Sequence, residues 1–352
     1  MNDKINIIHT QINETELFIK YKSSYISAFI DLSIHAVLMS LSFYSLWFFR
    51  NSLLSIFTIP LFSLFIIRTF VVFHDCGHNS YTPNKTLNYL ISNLLGILVF
   101  TPLCWSWHHK NHHLTSGNKT NYMKHKYNET VPDSLQDYKQ YNRLTQISYK
   151  IIRYPFIFFI IYPILYYGLQ QRIDVLRYRL FNKYPFTQST IHIIFELILS
   201  NISILGFVYY LYKYEIILHY IIVMIIFGFI TFSFFHNQHT YNPSYVIEDE
   251  KWSQRDSGIL GSSFIQVPYF LKYFFMGIEY HHIHHINSKI PGYNLQKYHE
   301  KVVSKSNMFD NVVKISMKDY YNNLWLVLYD EDKKKYITFK QADEEIRNNK
   351  DN

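Results

Sequence analysis

Near the end of the 352-residue chain lies Glu279-Tyr-His281-His282-Ile-His284-His285, which places four imidazoles within five residues. His281, His284 and His285 have the spacing i, i+3, i+4, so a helix would present their three rings on one face. Two similar clusters occur upstream, His74-Asp-Cys-Gly-His78 and His108-His109-Lys-Asn-His112-His113. An ordinary hydrophobic core has no use for three such clusters. We therefore expect the rest of the chain to bring them together.

The number of imidazoles at ligand spacing predicts a site for two metal ions. A structural zinc site closes with four ligands, whereas nine nitrogens can serve two ions. Imidazole alone suits zinc, copper, iron or nickel, so the ligand type leaves the metal open. Two ions with open positions beside apolar helices suggest oxygen chemistry on a lipid, for which iron is the natural choice. The nine candidate ligands are His74, His78, His109, His112, His113, His239, His281, His284 and His285.

Long apolar segments predict an all-α integral membrane protein, although the mean hydropathy of −0.07 would suit a soluble one. Four spans are expected, at about 28–49, 52–73, 190–211 and 216–235, and each is long enough to cross a hydrocarbon core of about 30 Å. Short connections would pair them as two hairpins. A lone Arg68 inside the second span is expected to extend its charge toward the membrane surface.

Two shorter apolar segments, 87–104 and 151–169, are expected to be re-entrant or to lie at the membrane interface. If residues 87–104 crossed the membrane, the second histidine cluster would lie on the opposite side from the first. The third cluster is expected in a cytoplasmic helical cap that carries the di-iron site. The chain then divides into a cytoplasmic N-terminal segment (1–27), one membrane domain (28–340) and a charged tail (341–352).

The net charge of +8 is distributed in a way that predicts the topology. Lysine and arginine cluster in 110–183 and again from Lys297 onward, which is typical of cytoplasmic loops. The sequence contains no basic helix and no aromatic platform of the kind that binds nucleic acid. The two cysteines are too few for a disulfide framework and indicate a reducing compartment. We expect a multi-pass protein with its active site on the cytoplasmic face, in the plasma or inner membrane of a bacterium or the endoplasmic reticulum of a eukaryote.

Three motifs resemble the histidine boxes of the membrane fatty acid desaturases. They are His-Asp-Cys-Gly-His-Asn-Ser at 74–80, Trp-His-His-Lys-Asn-His-His-Leu-Thr-Ser-Gly-Asn at 107–118, and Tyr-His-His-Ile-His-His-Ile-Asn-Ser-Lys-Ile-Pro-Gly-Tyr-Asn-Leu-Gln at 280–296. Their order, separations and flanking hairpins are most similar to the bacterial acyl-lipid omega-6 (delta-12) type. His108 and Lys110 depart from the residue types expected in close relatives, which leaves the subfamily open.

The resemblance implies a di-iron centre on the cytoplasmic side, above a tunnel for an acyl chain. It implies that the enzyme inserts a cis double bond into a lipid acyl chain with O2 as co-substrate. Two electrons must come from outside, because the sequence has no cytochrome b5-like His-Pro-Gly-Gly and no cysteine clusters for iron–sulfur. Ferredoxin or a separate cytochrome b5 is the expected donor.

The resemblance also assigns roles to single residues. The histidines of the three boxes are the expected ligands, together with His239, which takes the place of the extra ligand after the last span. His236 is the rival for that role. His108 and His282 are in-between members of their clusters and are expected off the metal face, in supporting roles. Asp75 and Glu279 either orient ligand imidazoles or are solvated carboxylates.

Two other classes of protein also use clusters of histidines in a membrane. A lipid hydroxylase or carotenoid hydroxylase or ketolase of the same superfamily would use the same ligands, and a few tunnel residues would decide between the reactions. A His-rich membrane metal transporter would need ionisable ligands near the bilayer midplane. The predicted spans are nearly free of such residues, which disfavours the transporter.

Overall fold

The fold is known from a computed structural model that describes residues 14–119, 131–181 and 189–348. Three parts of the predicted organisation therefore lie wholly or partly outside the described residues: the start of the N-terminal segment, part of the polar region after the second histidine cluster, and the last four residues of the tail.

Helices make up most of the described chain. In chain order the α-helices are α1 Glu14–Tyr21, α2 Tyr25–Phe48, α3 Ser55–Gly77, α4 Lys85–Leu98, α5 Trp105–Thr115, α6 Leu135–Gln140, α7 Arg143–Ile152, α8 Tyr162–Leu165, α9 Gln171–Phe181, α10 Thr190–Lys213, α11 Ile217–His239, α12 Gln254–Gly261, α13 Lys272–Phe275, α14 His281–Ile286, α15 Gly292–Val303, α16 Met317–Asn323 and α17 Phe339–Asn348. Two π-helical turns, Ile157–Ile161 and Tyr166–Gln170, flank α8. Two 3₁₀ turns occupy Asp249–Lys251 and Tyr269–Leu271.

The four predicted spans are found as the long apolar helices α2, α3, α10 and α11, of 23 or 24 residues each. Ser24 and Ser189 cap α2 and α10 by accepting hydrogen bonds from backbone N–H groups three residues on. Helices α3 and α11 continue about one turn beyond their predicted ends. His74 and His239 therefore lie within the last helical turns, where the backbone fixes their direction.

Helix α4 explains how the first two histidine clusters come to lie on the same side of the membrane. It has only 14 residues, packs along α3, and its Leu98 carbonyl accepts a 2.5 Å hydrogen bond from the Tyr220 hydroxyl. The chain then turns back into α5. The rings of His78, before α4, and His109, in α5, lie 4.9 Å apart. The prediction of one shared side is confirmed.

The second short apolar segment is bent. Helix α7 and the helical run that starts at Ile157 meet at 64° across a break of a few residues. Pro155 lies in that break, where its ring and missing N–H prevent a continuous helix.

Arg68 does not extend toward the membrane surface, in contrast to the expectation from the sequence. Its guanidinium is buried and forms an ion pair with Asp31 of α2, and it also donates to the Tyr273 carbonyl. The Tyr81 hydroxyl donates to the second Asp31 oxygen at 2.8 Å. Sequence reasoning does not find this ion pair, because Asp31 and Arg68 are far apart in the chain and meet only when α2 packs on α3.

Small sheets in the cap add to the predicted all-α architecture. Within the described residues the five strands are β1 Asp133–Ser134, β2 Phe264–Ile265, β3 Lys314–Ile315, β4 Leu328–Asp330 and β5 Lys335–Ile337. β4 pairs parallel with β1 and antiparallel with β5, while β2 pairs parallel with β3. Strands of two or three residues are too short to show an alternating pattern in sequence.

The boundary predicted at residue 341 falls inside a helix. Helix α17 spans Phe339–Asn348, and its Ala342 is buried in a small cluster with Leu135, Tyr138, Leu328 and Ile337. The charged residues of this segment therefore belong to the outer face of a packed helix.

We expect Asp31→Asn to destabilise the protein strongly, because the Arg68 guanidinium would stay buried without its counter-charge. Breaking a buried pair in this way costs about 3–5 kcal/mol. The matched control is Glu215→Gln, which breaks the exposed Arg50–Glu215 pair at 3.4 Å and should cost less than about 1 kcal/mol. Thermal unfolding of both variants in detergent measures the difference, and equal losses would contradict the assigned role of the buried pair.

Candidate metal centre

The three histidine clusters meet where several helix ends converge. His74 lies in the last turn of α3, and His78 caps its end. Helix α5 contributes the second cluster and α14 the third, while His239 is the last residue of α11. Because i, i+3 and i+4 positions share a face, α5 and α14 each direct three rings inward.

The nine candidate ligands form two groups. One contains His74, His78, His109, His113 and His284, and the other contains His112, His239, His281 and His285. Within each group the ligand atoms lie within 4.8 Å of one another. The stacked rings of His113 and His285, 4.2 Å apart, join the two groups. Two adjacent groups of five and four nitrogens match the expected pair of ions.

The distances between ring nitrogens fit shared metal ligation. In the first group, the Nε2 atom of His109 lies 2.7 Å from that of His74 and 3.1 Å from that of His113. In the second, the Nε2 atom of His239 lies 3.1 Å from that of His112 and 3.0 Å from that of His281. Two nitrogens that bind one ion at about 2.1 Å lie about 3.0 to 3.4 Å apart, depending on the coordination angle. Three of these four distances match that range, and the His74–His109 distance is shorter.

Several of these nitrogens need a partner that the described protein does not supply. All nine imidazoles are at most 8% exposed. Among the described residues, the Nε2 atoms of His78, His284 and His285 have no hydrogen-bond partner. Buried polar atoms are rarely left unsatisfied, and a bound ion can supply the missing partner. The residues present therefore fit a metal centre.

Burial also keeps the ligands in the form that binds metal. The pKa values of His78, His109, His112, His113, His281, His284 and His285 are all held well below the usual value, first by burial and then by the neighbouring histidines. A protonated ring cannot ligate, and neutral imidazole is the ligand that zinc, iron and copper accept. These seven rings are thus prepared for metal without a change of protonation at neutral pH.

Hydrogen bonds hold two of the ligands in orientation. The Nδ1 atom of His239 lies 3.0 Å from the Gly261 carbonyl. The Nδ1 atom of His74 lies 3.3 Å from a carboxylate oxygen of Asp75, whose other oxygen accepts a 2.6 Å hydrogen bond from the Gly292 N–H. Asp75 thereby ties the first histidine cluster to the start of α15. Such outer contacts fix the ring and its tautomer.

Neither predicted carboxylate is solvated. Asp75 and Glu279 are each 1% exposed. Burial raises the pKa of Glu279 to about 7, and its Oε2 atom has no hydrogen-bond partner among the described residues. Of the two, only Asp75 has a described contact with a candidate ligand ring.

Three further histidines, His108, His236 and His282, lie outside the two groups of candidate ligands. The Nε2 atom of His282 lies 3.1 Å from Nδ1 of His299, in an aromatic cluster behind α14. The Nε2 atom of His236 lies 2.9 Å from the Asn323 carbonyl, which favours His239 over His236 at the centre. His108 lies outside both groups and lines a cavity next to them.

The resemblance implies a tunnel for an acyl chain, but sequence reasoning did not find which residues line this cavity. It lies between α3 and α11, and four candidate ligands form one end of it: His74, His109, His112 and His281. The other walls are mainly apolar and aromatic, and are lined by Ile67, Phe70, Val71, Trp105, Tyr166, Tyr167, Phe232, Phe234, Phe235, Phe275 and Ile278. The spans are apolar on every side, so their sequence does not reveal which face lines a cavity.

Comparisons with known proteins agree with this geometry. The family model described as "Fatty acid desaturase" matches residues 46–311. A "Fatty acid desaturase" of Bacillus subtilis is 31% identical over 305 residues, covering 85% of this chain and 83% of the relative.

Two cyanobacterial proteins are also similar. An "sn-1 acyl-lipid omega-3 desaturase (ferredoxin)" of Nostoc sp. is 30% identical over 246 residues, and an "sn-1 oleoyl-lipid 12-desaturase" of Synechocystis sp. is 25% identical over 240 residues. These alignments cover 66% and 65% of this chain, and each covers 63% of the relative.

We expect His239→Ala to lower the metal content of the purified protein from about two ions toward one, because the smaller group would keep only three nitrogens. His236→Ala should keep both ions, since its ring contacts the Asn323 carbonyl instead. Metal analysis by mass spectrometry, with a thermal-unfolding check that each variant is folded, measures the difference. The reverse order of metal loss would assign the ligand role to His236.

Proposed function

The chain belongs to the fatty acid desaturase family, and we propose that it inserts a cis double bond into the acyl chain of a membrane lipid. The co-substrate is O2, and two electrons come from an external donor. For each double bond, two carbon-bound hydrogens, two electrons, two protons and one O2 yield two waters, so the electrons and atoms balance. The active centre is a pair of iron ions on the cytoplasmic side of the membrane.

The observation that carries this proposal is the cavity that ends on the candidate ligands. Four candidate ligands line one end of an apolar space that continues between α3 and α11. An acyl chain has no group that a polar site can hold, so its binding depends on apolar contact along its length. Such a chain would bring a methylene carbon to the imidazole end of the cavity.

The wall of the cavity is prepared for an apolar ligand. The Trp105 Nε1–H donates to the Tyr166 hydroxyl at 2.9 Å, and the hydroxyls of Tyr167 and Thr231 lie 3.0 Å apart. The polar atoms of these side chains therefore satisfy one another, and their rings are free to contact a hydrocarbon chain. The same contacts hold Trp105 against His109, whose rings stack at 4.9 Å.

Bound iron would supply the oxidising chemistry with O2 that breaks an unactivated C–H bond, which no amino-acid side chain can do. The nine histidines would hold the two ions in groups of five and four. The buried environment keeps bulk water away from the reacting carbon. His239 and His74 are held in orientation by the Gly261 carbonyl and by Asp75.

The electrons have to be delivered by another protein. Cys76 and Cys104 are the two cysteines of the sequence, and both are buried free thiols. Two separate thiols do not support an iron–sulfur cluster, which needs about four ligands. Ferredoxin or cytochrome b5 is the proposed donor.

The proposal is tested by lipid analysis. Expressed in a host whose lipids contain only saturated and monounsaturated chains, the protein should produce a new unsaturated fatty acid, which gas chromatography–mass spectrometry identifies. His284→Ala should abolish the product, because His284 belongs to the group of five imidazoles. His192→Ala is the matched control, since His192 is exposed at the start of α10 and should leave the product unchanged. A hydroxylated product would assign the protein to the hydroxylases of the superfamily.

A second prediction concerns the cavity. Val71→Phe adds volume to the cavity wall one turn before His74, and should reduce product at least about tenfold or shift it to shorter chains, because overpacking excludes the acyl chain. Leu61→Phe makes a similar change on the same helix at an exposed position and should have little effect. Iron content should be normal in both variants. Equal product from the two would argue against acyl binding in this cavity.

A further inference from the structure

Three exposed lysines lie beside one edge of the imidazole cluster. Lys85 is the first residue of α4, Lys110 lies between two candidate ligands in α5, and Lys289 follows α14. They come from three separate parts of the sequence, and the fold brings them to the side of the centre where His78 lies. We refer to these three residues as the lysine patch.

The lysine patch lies directly against a candidate ligand. The Lys289 ammonium donates a 2.5 Å hydrogen bond to the backbone carbonyl of His78. The charges of Lys110 and Lys289 both act on His78, and those of Lys110 and Lys85 both act on Lys289, so the fold places the three ammonium groups near one another. The three ammonium groups therefore act as one positive surface.

No carboxylate neutralises this surface within the described part of the chain, where none of the three lysines forms an ion pair. Other lysines of the cap do pair: Lys119 with Glu248 at 2.9 Å, and Lys150 with Asp343 at 2.8 Å. Holding like charges close together is unfavourable for folding. An unpaired positive surface beside the centre therefore indicates a negatively charged partner.

We propose that the lysine patch is the docking surface for an acidic, one-electron carrier protein. This inference rests on the proposed function, which requires two electrons from outside the chain. The nine imidazoles are buried, so electrons have to enter through a thin part of the protein wall. The contact between Lys289 and the His78 backbone is such a place, because a surface residue there touches the residue that carries a candidate ligand.

Electrostatic attraction suits this kind of partner. Complementary charges speed the encounter of two proteins and orient them, and the effect weakens as salt is added. A carrier that must dock, deliver one electron and leave benefits from fast association without a large apolar interface. Anionic lipid headgroups would also be attracted to lysines, but a lipid delivers no electrons to the five-imidazole group, to which His78 belongs.

Direct binding tests the proposal independently of activity. The full chain is placed in nanodiscs of neutral phosphatidylcholine, and biolayer interferometry measures its Kd for an acidic [2Fe–2S] ferredoxin and for a soluble cytochrome b5. Lys85→Glu/Lys289→Glu should weaken binding of at least one carrier about tenfold or more and flatten its salt dependence. Lys85→Arg/Lys289→Arg should bind as the unmodified chain does. Lys318→Glu/Lys340→Glu is the control, since it changes the net charge equally at exposed positions elsewhere.

Measurements of turnover distinguish a failure of the proposed docking surface from a failure of the proposed desaturase function. With the bound carrier as donor, the Lys85→Glu/Lys289→Glu variant should show a raised KM for the carrier, while its iron content and its turnover with saturating dithionite stay normal. Unchanged Kd and KM values in that variant would overturn the docking surface and leave the desaturase function intact. A defect seen only with phosphatidylglycerol in the nanodiscs would assign the patch to lipid headgroups and also overturn it. Absence of product from the unmodified chain with either reductant would instead overturn the proposed function.

Discussion

Nine imidazoles are buried together at the junction of four helices, and the rest of the structure follows from that constraint. Removing a polar ring from water is unfavourable unless its nitrogens find partners. Here the rings mainly face one another, and some of their nitrogens have no partner among the described residues. Ions shared between the rings would satisfy these nitrogens. The surrounding helices therefore have to hold the rings at fixed positions whether or not an ion is bound.

The fold achieves this by ending its helices at the cluster. Helices α3 and α11 extend beyond the expected membrane boundary, so that backbone hydrogen bonds fix His74 and His239. The short helix α4 returns the chain to the same side, which lets α5 add His109 and His113 to the first group. The Asp31–Arg68 ion pair joins α2 to α3 and, through Tyr273, to the cap. Together these contacts make the centre part of a packed framework.

The centre has two chemically different sides. Toward the membrane, aromatic side chains satisfy their own polar atoms and leave an apolar cavity that ends on four imidazoles. On the side of His78, three lysines form a positive surface against the same cluster. A reaction that takes a hydrocarbon from the bilayer and electrons from a soluble protein requires both kinds of surface next to one metal centre.

The sequence by itself predicted the membrane class, the four long apolar helices, the nine candidate ligands and the resemblance to the fatty acid desaturases. The comparisons confirm the family. These features depend on local spacing: i, i+3 and i+4 positions share a helix face wherever the helix lies. The sequence also favoured His239 over His236, and the structure brings His239 to the cluster.

Only the tertiary structure decided which imidazoles belong to which group, that Arg68 pairs with Asp31, that Asp75 accepts a hydrogen bond from the Gly292 N–H, and that three distant lysines meet. Each of these depends on contacts between elements that are far apart in the chain. The residues that line the cavity were not evident from the sequence for a related reason. Spans that face lipid on one side and protein on the other are apolar all round, so only helix packing shows which apolar face is left open for a ligand.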